Sequence, residues 1–393
     1  MPDFAKRMNV LGVEGAFIVL AKAKELERQG RSIVHMEIGQ PDFPTPKHII
    51  EAAKKALDSG MTSYTPSTGI YELREAVAEY VSKSRGTDIS PDEVVITVGA
   101  KLAIFGALMA FVDPGDEVII PAPAYPSYDS VTMFVGGKPV HVPLREERKF
   151  SPSGEEIAET VTEKTKVIVI NTPCNPTGGV YTREDLKAIV EVAQEKDLLI
   201  VSDEIYDEIV FDGKKHESIL SIPGARERTV LIGGFSKTWS MTGWRLGWAV
   251  APKEITDKIA KIQLNTTSCP VHFVQVAAVE AIRGPQDDVR RMVQEYQERR
   301  DLIFDGLNSI PGFSMIKPAA TFYAFPNVKK LGVKSSELAD MILNEAGVAL
   351  LPGTAFGPEG EGYLRLSFAT SKDMIKEGLK RIKEFVEERF PNV

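Results

Sequence analysis

Short runs of aliphatic and β-branched residues recur through the middle of the chain, separated by segments with a helical period. Several runs are apolar throughout, as strands covered on both faces are. The segments between them carry apolar residues on one helical face, as residues 102–111 and 183–195 show. This alternation predicts an α/β unit with a mostly parallel, seven-stranded sheet. The predicted strands are residues 94–98, 117–120, 140–142, 167–170, 198–202, 229–232 and 246–250.

From about residue 289 the pattern changes to long, charged amphipathic helices separated by short strand-like pieces. The stretch 17–29 is also helical, and prolines at positions 41 and 44 separate it from the sheet region. The length of 393 residues exceeds what one core supports, roughly 250–300 residues. We therefore predict a large domain over residues 44–282 and a smaller α+β domain built from both termini, residues 1–43 and 283–393. The predicted helices of the last third are 290–308, 336–345 and 371–388, and its strands are 321–325 and 363–367.

Composition narrows the class of protein. The formal charge of -8 argues against non-specific binding to nucleic acid or to an anionic membrane surface. The two cysteines, Cys174 and Cys269, are too few for a disulfide framework and favour a reduced compartment. Residues 1–7 lack the apolar region of a signal peptide, and no segment approaches about 18 uncharged apolar residues. We expect a cytoplasmic protein with no nucleic-acid or membrane partner.

Familiar nucleotide and metal motifs do not match. Residues 233–238 contain a Lys-Thr pair but lack the glycine that precedes the lysine of a P-loop. No G-x-G-x-x-G follows the first predicted strand of the sheet, and neither H-E-x-x-H nor G-x-S-x-G occurs. The five histidines fall at no metal-ligand spacing. We therefore predict neither a nucleotide site nor a metal site.

Polar residues follow the predicted strands directly, at the edge where open α/β sheets bind ligands. Gly99, Ala100 and Lys101 come after strand 94–98, at the start of a helix whose first backbone N–H groups can hold a phosphate. A later turn, stiffened by prolines, presents Asn175, whose amide can donate to a ligand oxygen. Each feature is weak alone, because a tight connection between elements explains the glycine and the prolines equally well.

Two further strand ends carry charged residues in apolar surroundings. Asp203 follows strand 198–202, where a buried carboxylate needs a cationic partner. For an isolated aspartate, a helix cap or a structural ion pair is the simpler explanation. Lys237 and Arg245 lie among apolar and aromatic residues. Lys237 is the one charged residue between Arg228 and Arg245. A desolvated lysine has a lowered pKa and is a good nucleophile for carbonyl groups.

An aldehyde cofactor that carries a phosphate and a pyridine nitrogen would use all these groups together. Pyridoxal 5′-phosphate is such a cofactor. Lys237 would form the Schiff base, and Asp203 would keep the pyridine nitrogen protonated so that the ring accepts electrons. Arg245 and the Gly99 turn would bind the phosphate. The residues therefore predict a pyridoxal-phosphate enzyme.

Seven segments resemble motifs of the class I/II aminotransferases of fold type I, particularly the prokaryotic aspartate and aromatic aminotransferases. The resemblance covers nearly the whole chain. It implies ping-pong transfer of an amino group from L-aspartate, L-glutamate or an aromatic amino acid to a 2-oxo acid such as 2-oxoglutarate. It also implies a homodimer with shared active sites, in which Tyr64 resembles the tyrosine that reaches the neighbouring subunit's phosphate. The segments are residues 38–43, 64–66, 97–101, 171–178, 202–206, 236–245 and 363–368.

The resemblance also implies roles for individual residues. Tyr125 resembles the aromatic residue that stacks on the cofactor ring. Asn175 and Tyr206 resemble the pair that hydrogen-bonds the phenolic oxygen of that ring, and Tyr206 joins the lysine and the aspartate in catalysis. Arg365 resembles the arginine that binds the substrate α-carboxylate, over which the backbone of Gly39 closes. Tyr125 and Asn175 are expected to contact the substrate as well.

Two positions depart from the family pattern. Gly234 stands where some members carry a phosphate-binding serine, so Ser236 or backbone groups must complete the phosphate site. Lys101 resembles the lysine that some aspartate aminotransferases use for the distal carboxylate, which favours acidic substrates. Glu14 and Phe17, however, belong to a segment that lacks the small hydroxyl residues of those enzymes and suits aromatic or aliphatic side chains. The preferred donor stays open.

Two alternative functions use the same scaffold. A pyridoxal-phosphate lyase, such as a C–S lyase, acts at Cβ or Cγ on the same fold, because fold does not decide the reaction. A non-catalytic ligand-binding regulator is the second alternative. The presence of Lys237 argues against the regulator, whereas only the products distinguish a lyase from a transferase.

Overall fold

The computed structural model describes residues 3–393, within which twelve strands and twelve α-helices are present. The strands are β1 Val34–His35, β2 Val94–Thr97, β3 Glu117–Ala122, β4 Lys138–Pro143, β5 Thr165–Asn171, β6 Leu199–Asp203, β7 Thr229–Gly234, β8 Gly247–Val250, β9 Tyr323–Ala324, β10 Val348–Ala349, β11 Leu351–Pro352 and β12 Leu364–Ser367. The helices are α1 Gly15–Arg28, α2 Lys47–Asp58, α3 Tyr71–Arg85, α4 Ala100–Phe111, α5 Ser127–Phe134, α6 Gly154–Thr160, α7 Arg183–Glu195, α8 Lys253–Leu264, α9 His272–Arg283, α10 Asp287–Asn308, α11 Ser335–Met341 and α12 Lys372–Arg389.

Seven strands form the central sheet in the order β2-β8-β7-β6-β5-β3-β4. Strand β8 is antiparallel to both of its neighbours, and every other pair in this sheet is parallel. The predicted mostly parallel, seven-stranded sheet is therefore confirmed. Every residue of β2, β3, β6, β7 and β8 is buried, because helices cover both faces.

The two faces of the sheet belong to two separate apolar clusters. Helices α2, α3, α7 and α9 pack on one face, where the strands contribute Ile96 and Ile200. Helices α4, α5 and α8 pack on the other face, where the neighbouring positions Val95 and Val201 point. Successive strand side chains point to opposite faces, so each strand supplies both clusters. The carboxyl edge of the sheet, between these two helix layers, carries the candidate site residues described below.

Residues from both ends of the chain form the smaller α+β part, as predicted. β1 pairs in parallel with β10, and Val34 lies opposite Val348. β11, β12 and β9 form an antiparallel sheet, against which α10 and α12 pack. Their shared core contains buried residues from both termini, including Met36, Ile303 and Ile382. The boundaries at residues 43 and 282 stay predictions.

Several short elements differ from the expectations. The predicted helix 336–345 divides at Met341, where α11 gives way to a π-helical turn over Ile342–Ala346. Of the predicted strand 321–325, only Tyr323–Ala324 pairs with β12. Such short pieces depend on tertiary pairing more than on local propensity. Within residues 3–393, no helix is both long enough and apolar enough to span a membrane.

Candidate active site

A cavity of about 550 Å³ lies at the carboxyl edge of the central sheet, between the sheet and the smaller α+β part. It brings together most of the predicted site residues, which come from segments spread over more than three hundred positions. These lining residues are Gly39, Ala100, Lys101, Tyr125, Asn175, Asp203, Tyr206, Ser236, Lys237, Arg245 and Arg365. Gly99 lies beside the wall, next to Arg245. Tyr64 does not line the cavity, and its side chain is 88% exposed.

Lys237 follows the end of β7 and is partly buried in the cavity wall. Its Nζ donates a hydrogen bond to the carbonyl oxygen of Gly39 at 2.6 Å. The aromatic rings of Tyr206 and Phe322 lie 5.8 and 5.7 Å from Nζ. Loss of water around the amine, and then the positive charge of Arg365, lower its pKa to about 8. About a tenth of this amine is therefore neutral and nucleophilic at pH 7.

Asp203 is the last residue of β6 and is buried, with 4% of its surface exposed. One carboxylate oxygen accepts from the Tyr128 hydroxyl at 2.8 Å, and the other accepts from the backbone N–H of Ile205 at 3.2 Å. Burial raises its pKa to about 6, although both hydrogen bonds oppose this. The ion pair that would give Asp203 a purely structural role is absent from the described part of the chain. A buried carboxylate without a cationic partner is thus aimed at the cavity.

Asn175 and Tyr206 line the same cavity as Asp203 and Lys237. The backbone N–H of Asn175 donates to Asn171 Oδ1 at 2.8 Å, which orders the turn after β5. Its own side-chain oxygen is buried and lacks a hydrogen-bond partner. The hydroxyls of Tyr206 and Tyr323 share a hydrogen bond of 2.8 Å. The cavity therefore contains two further polar side chains besides Asp203 and Lys237.

The start of α4 forms a second polar end of the cavity. Gly99 caps this helix with a φ of 79°, which favours glycine. A Cβ atom at this position would also lie only 2.5 Å from the Arg245 guanidinium. The first N–H groups of a helix lack partners within it and attract anions. Arg245, Ser236 and the helix start thus form a site suited to a phosphate.

Arg365, on β12, provides a third polar end. It is 3% exposed, and its guanidinium lies over the rings of Tyr323 and Phe356 at 4.5 and 5.2 Å. One nitrogen donates to the carbonyl oxygen of Glu37, while Nε is buried without a partner. At Gly39 a side chain would collide with the Tyr323 hydroxyl, so glycine is required there. Arg365 can therefore receive a carboxylate beneath the backbone of Gly39.

The residues predicted to surround the substrate side chain, Glu14, Phe17 and Lys101, lie together in one part of the cavity. Glu14 Oε1 accepts hydrogen bonds from Lys101 Nζ and from the Tyr125 hydroxyl, the latter at 2.8 Å. Lys101 Nζ also lies 5.7 Å from the centre of the Tyr125 ring. Phe17 and Ile104 line the cavity nearby. The acidic and the basic residue that indicated opposite substrates are thus bound to each other.

Some residues of the site were not predicted from the sequence. Tyr128 orients Asp203, Tyr323 binds Tyr206 and underlies Arg365, and Phe356 covers the other side of the guanidinium. They come from segments without a recognisable motif. The only available signal was the tyrosine-rich turn 125–128 after β3.

The fold and this arrangement agree with a known family. Residues 31–382 match the family model for aminotransferase class I and II. The chain belongs to this family. The predicted family and fold type are confirmed.

Relatives of this aminotransferase with established names cover nearly its whole length. The aspartate aminotransferase of Pyrococcus abyssi is 44% identical over 362 residues, or 91% of this chain and 93% of that protein. The aromatic-amino-acid aminotransferase 2 of Thermococcus litoralis is 44% identical over 373 residues, or 94% and 96% of the two chains. The solved structure of Thermus thermophilus aspartate aminotransferase with maleate has a TM-score of 0.94 at 38% identity, and covers 98% of this chain and 100% of that one.

Proposed function

We propose that this protein is a pyridoxal-phosphate-dependent aminotransferase that moves an amino group from an L-amino acid to a 2-oxo acid. The observation that supports this most is the meeting of three unusual groups in one cavity. Lys237 is an amine with a lowered pKa, and Asp203 is a buried carboxylate without a cation. Arg365 is a buried guanidinium with an unpartnered nitrogen. Family membership supports the same reaction.

The residues present fit pyridoxal 5′-phosphate. The cavity offers an amine for the aldehyde, a carboxylate for the pyridine nitrogen, and a helix start with Arg245 for the phosphate. The side-chain amide of Asn175, through its Nδ2 group, and the hydroxyl of Tyr206 can donate to the phenolic oxygen, and Tyr125 can stack on the ring. When bound, the cofactor supplies a carbonyl that links reversibly to amines and a ring that accepts electrons from the substrate Cα.

Lys237 has two roles in this proposal. As a nucleophile, its neutral amine holds the cofactor covalently, which a pKa of about 8 allows near neutral pH. Once the substrate amine had replaced it, the freed Nζ would act as the general base and acid that takes up and returns the substrate Cα proton. Gly39 accepts a hydrogen bond from this amine and orients it.

The other residues bind and hold charge. With the cofactor bound, Asp203 would provide a negative charge for the pyridine nitrogen, and Tyr128 fixes the direction of the carboxylate. Arg365 binds the substrate α-carboxylate through its free N–H groups. Tyr206, whose hydroxyl shares a hydrogen bond with that of Tyr323, would donate to the phenolic oxygen of a bound cofactor. Together these contacts place the Cα proton within reach of Lys237.

The acceptor follows the donor through the same cavity. A 2-oxo acid, such as 2-oxoglutarate, carries the same α-carboxylate and therefore binds the same arginine after the first product has left. This sharing requires ping-pong kinetics. The first product, an oxo acid, leaves before the acceptor binds, and the amino group that stays with the enzyme is passed to the acceptor in the second half reaction.

We also propose a homodimer with shared active sites. Tyr64 is far more exposed than is usual for a tyrosine and lies outside the cavity of its own chain. Met61 and Tyr71, which lie near Tyr64 in the sequence, are also exposed. A second subunit that covers this surface would bring Tyr64 towards the partner's phosphate site.

The absorption spectrum of the purified protein with added cofactor tests the proposal. L-Glutamate, L-aspartate, L-phenylalanine and L-alanine are added separately, each followed by 2-oxoglutarate. We expect the visible band of the bound cofactor to disappear with a donor and to return with the oxo acid. Lys237→Ala should retain cofactor but lose this cycle. A protein that acquires no visible band even with excess cofactor would overturn the proposal.

The same reaction mixtures distinguish the lyase. A lyase releases ammonia together with pyruvate or a thiol, and it does so without an oxo acid. An aminotransferase consumes donor only in proportion to the oxo acid supplied. Ammonia release that does not depend on 2-oxoglutarate would therefore contradict the transferase.

A further inference from the structure

The contact between Glu14 and Lys101 carries an inference about substrate choice, and it rests on the proposed function. Glu14 immediately precedes α1, and its carboxylate points into the cavity from the smaller part of the molecule. Lys101 lies in the first turn of α4, on the large part. Their ion pair therefore crosses the cavity, and the Tyr125 hydroxyl binds the same carboxylate oxygen.

We propose that Glu14 is a specificity-determining residue. By forming an ion pair with Lys101, it makes the enzyme prefer donors with aromatic or other uncharged side chains over dicarboxylic donors. Lys101 is the cation of this cavity that is available for a second carboxylate, because Arg365 serves the first and Arg245 faces the phosphate site. While Glu14 neutralises Lys101, the distal end of the cavity offers no free positive charge.

The electrostatics of the cavity support this assignment. The negative charge of Glu14 acts on both Lys237 and Arg365, since it opposes the lowering of the pKa of each. It therefore lies close enough to affect a bound substrate. A dicarboxylate would bring a second negative charge next to Glu14, and like charges at short range repel each other. An uncharged side chain meets no such cost.

The walls beside the ion pair are apolar. Phe17, Ile104 and Leu351 line the same cavity as Glu14 and Lys101. An aromatic side chain can contact these residues while the ion pair stays closed. Burial of apolar surface there adds affinity for such donors.

On this proposal, a dicarboxylic oxo acid is admitted by opening of the ion pair. Glu14 precedes α1 without a side-chain cap hydrogen bond, and its partner Lys101 is half exposed. The distal carboxylate of 2-oxoglutarate can then replace Glu14 on Lys101. This exchange lowers the affinity for dicarboxylates without excluding them.

Three variants of the holoenzyme test the inference. Glu14→Gln keeps the shape and a hydrogen-bond acceptor for Tyr125 but releases the charge of Lys101, and Glu14→Thr is a second variant with a smaller side chain. Adding Lys101→Met to Glu14→Gln removes the freed cation. Glu25→Gln is the matched control, because Glu25 lies on the exposed side of α1 and pairs with Arg28.

Two measurements are made on each variant. One is the ratio of kcat/KM for L-aspartate to kcat/KM for L-phenylalanine. The other is the binding of the unreactive analogues maleate and 3-phenylpropionate, by calorimetry. Glu14→Gln and Glu14→Thr should raise the aspartate-to-phenylalanine ratio at least about tenfold, which corresponds to about 1.4 kcal/mol. Maleate should gain affinity relative to 3-phenylpropionate, and the second substitution, Lys101→Met, should abolish both gains.

The outcomes separate this inference from the proposed function. If the wild-type enzyme transaminates but both Glu14 variants keep its ratio within about twofold, as the Glu25 control should, the inference is overturned. If the gain survives the loss of Lys101, the role assigned to the ion pair is wrong. If the wild type transaminates no donor at all, the proposed function fails, and the calorimetric comparison still reports on Glu14.

Discussion

Lys237 makes stability depend on pH in a way that an exposed lysine does not. Its pKa falls from 10.5 to about 8 in the folded protein, because its surroundings remove water from the amine and Arg365 adds a positive charge. The unfolded chain therefore binds more protons than the folded protein between pH 8 and 10.5. Stability must rise with pH across this window. Below it, the cost of keeping the amine protonated is fully present.

The size of the effect follows from the displacement of the pKa. At about 1.4 kcal/mol for each pH unit, the displacement is worth about 2–3 kcal/mol, discounted because the open cavity leaves Nζ partly hydrated. Lys237→Met replaces the amine by an apolar group of similar length. The free energy of unfolding of the variant, minus that of the wild type, should therefore be larger at pH 7 than at pH 10.5. The lost hydrogen bond to Gly39 shifts this comparison equally at every pH.

Urea denaturation of both apoproteins at one protein concentration, from pH 7 to pH 10.5, measures the effect. The other titrating groups are shared and cancel in the difference between the two free energies of unfolding. Lys258→Met, which removes an exposed lysine of α8, is the control and should give a flat difference. A difference for Lys237→Met that is equally flat would refute the reasoning, because the amine would then titrate alike in both states.

Three further predictions concern charged residues. Asp203→Asn should lower kcat by about 10²–10³, since an amide cannot hold the negative charge beside the pyridine nitrogen; single-turnover kinetics of the donor half reaction measure this. Arg365→Lys should raise KM about tenfold for donor and acceptor alike, because an ammonium group cannot bind the α-carboxylate in a fork; equal kcat/KM values would contradict this. His141 bridges Asp129 and Glu359 at 3.0 and 3.1 Å, which raises its pKa from 6.5 to about 10. The bridge stabilises the fold fully below pH 6.5 and is lost as pH rises through about 10, so His141→Gln should lower the melting temperature at pH 7 and much less at pH 11.

The central sheet could be predicted because helices cover both faces of most of its strands. A strand with helices on both faces is apolar at most positions, and such a run stands out in the sequence. The run 229–232, for example, lies within β7, Thr229–Gly234. The paired strands β1 and β10 could not be predicted, since each contains two residues and exists only through the other.

Some residues of the candidate site could likewise be predicted from the sequence, and others could not. Residues that directly follow a sheet strand could be found, because the strand gives their position and their residue type gives their chemistry. Tyr323 and Phe356 could not, since they reach the cavity from the smaller part of the molecule, where no motif marks them. Their effect is also indirect, because they orient Tyr206 and cover Arg365. A contact across the cavity has no local trace in the sequence.

Lys101 and Glu14 show why residue identities alone left the donor open. Taken separately, the lysine favours an acidic substrate and the glutamate an uncharged one. In the structure they form one ion pair. The preference between acidic and uncharged donors then depends on two free energies, the cost of separating this pair and the gain from binding a second carboxylate to Lys101. That difference can be changed by either residue or by Tyr125, which holds the same oxygen. On the proposed role of Glu14, specificity in this cavity is a property of the cluster, and a relative that keeps the lysine but loses the glutamate should prefer acidic donors.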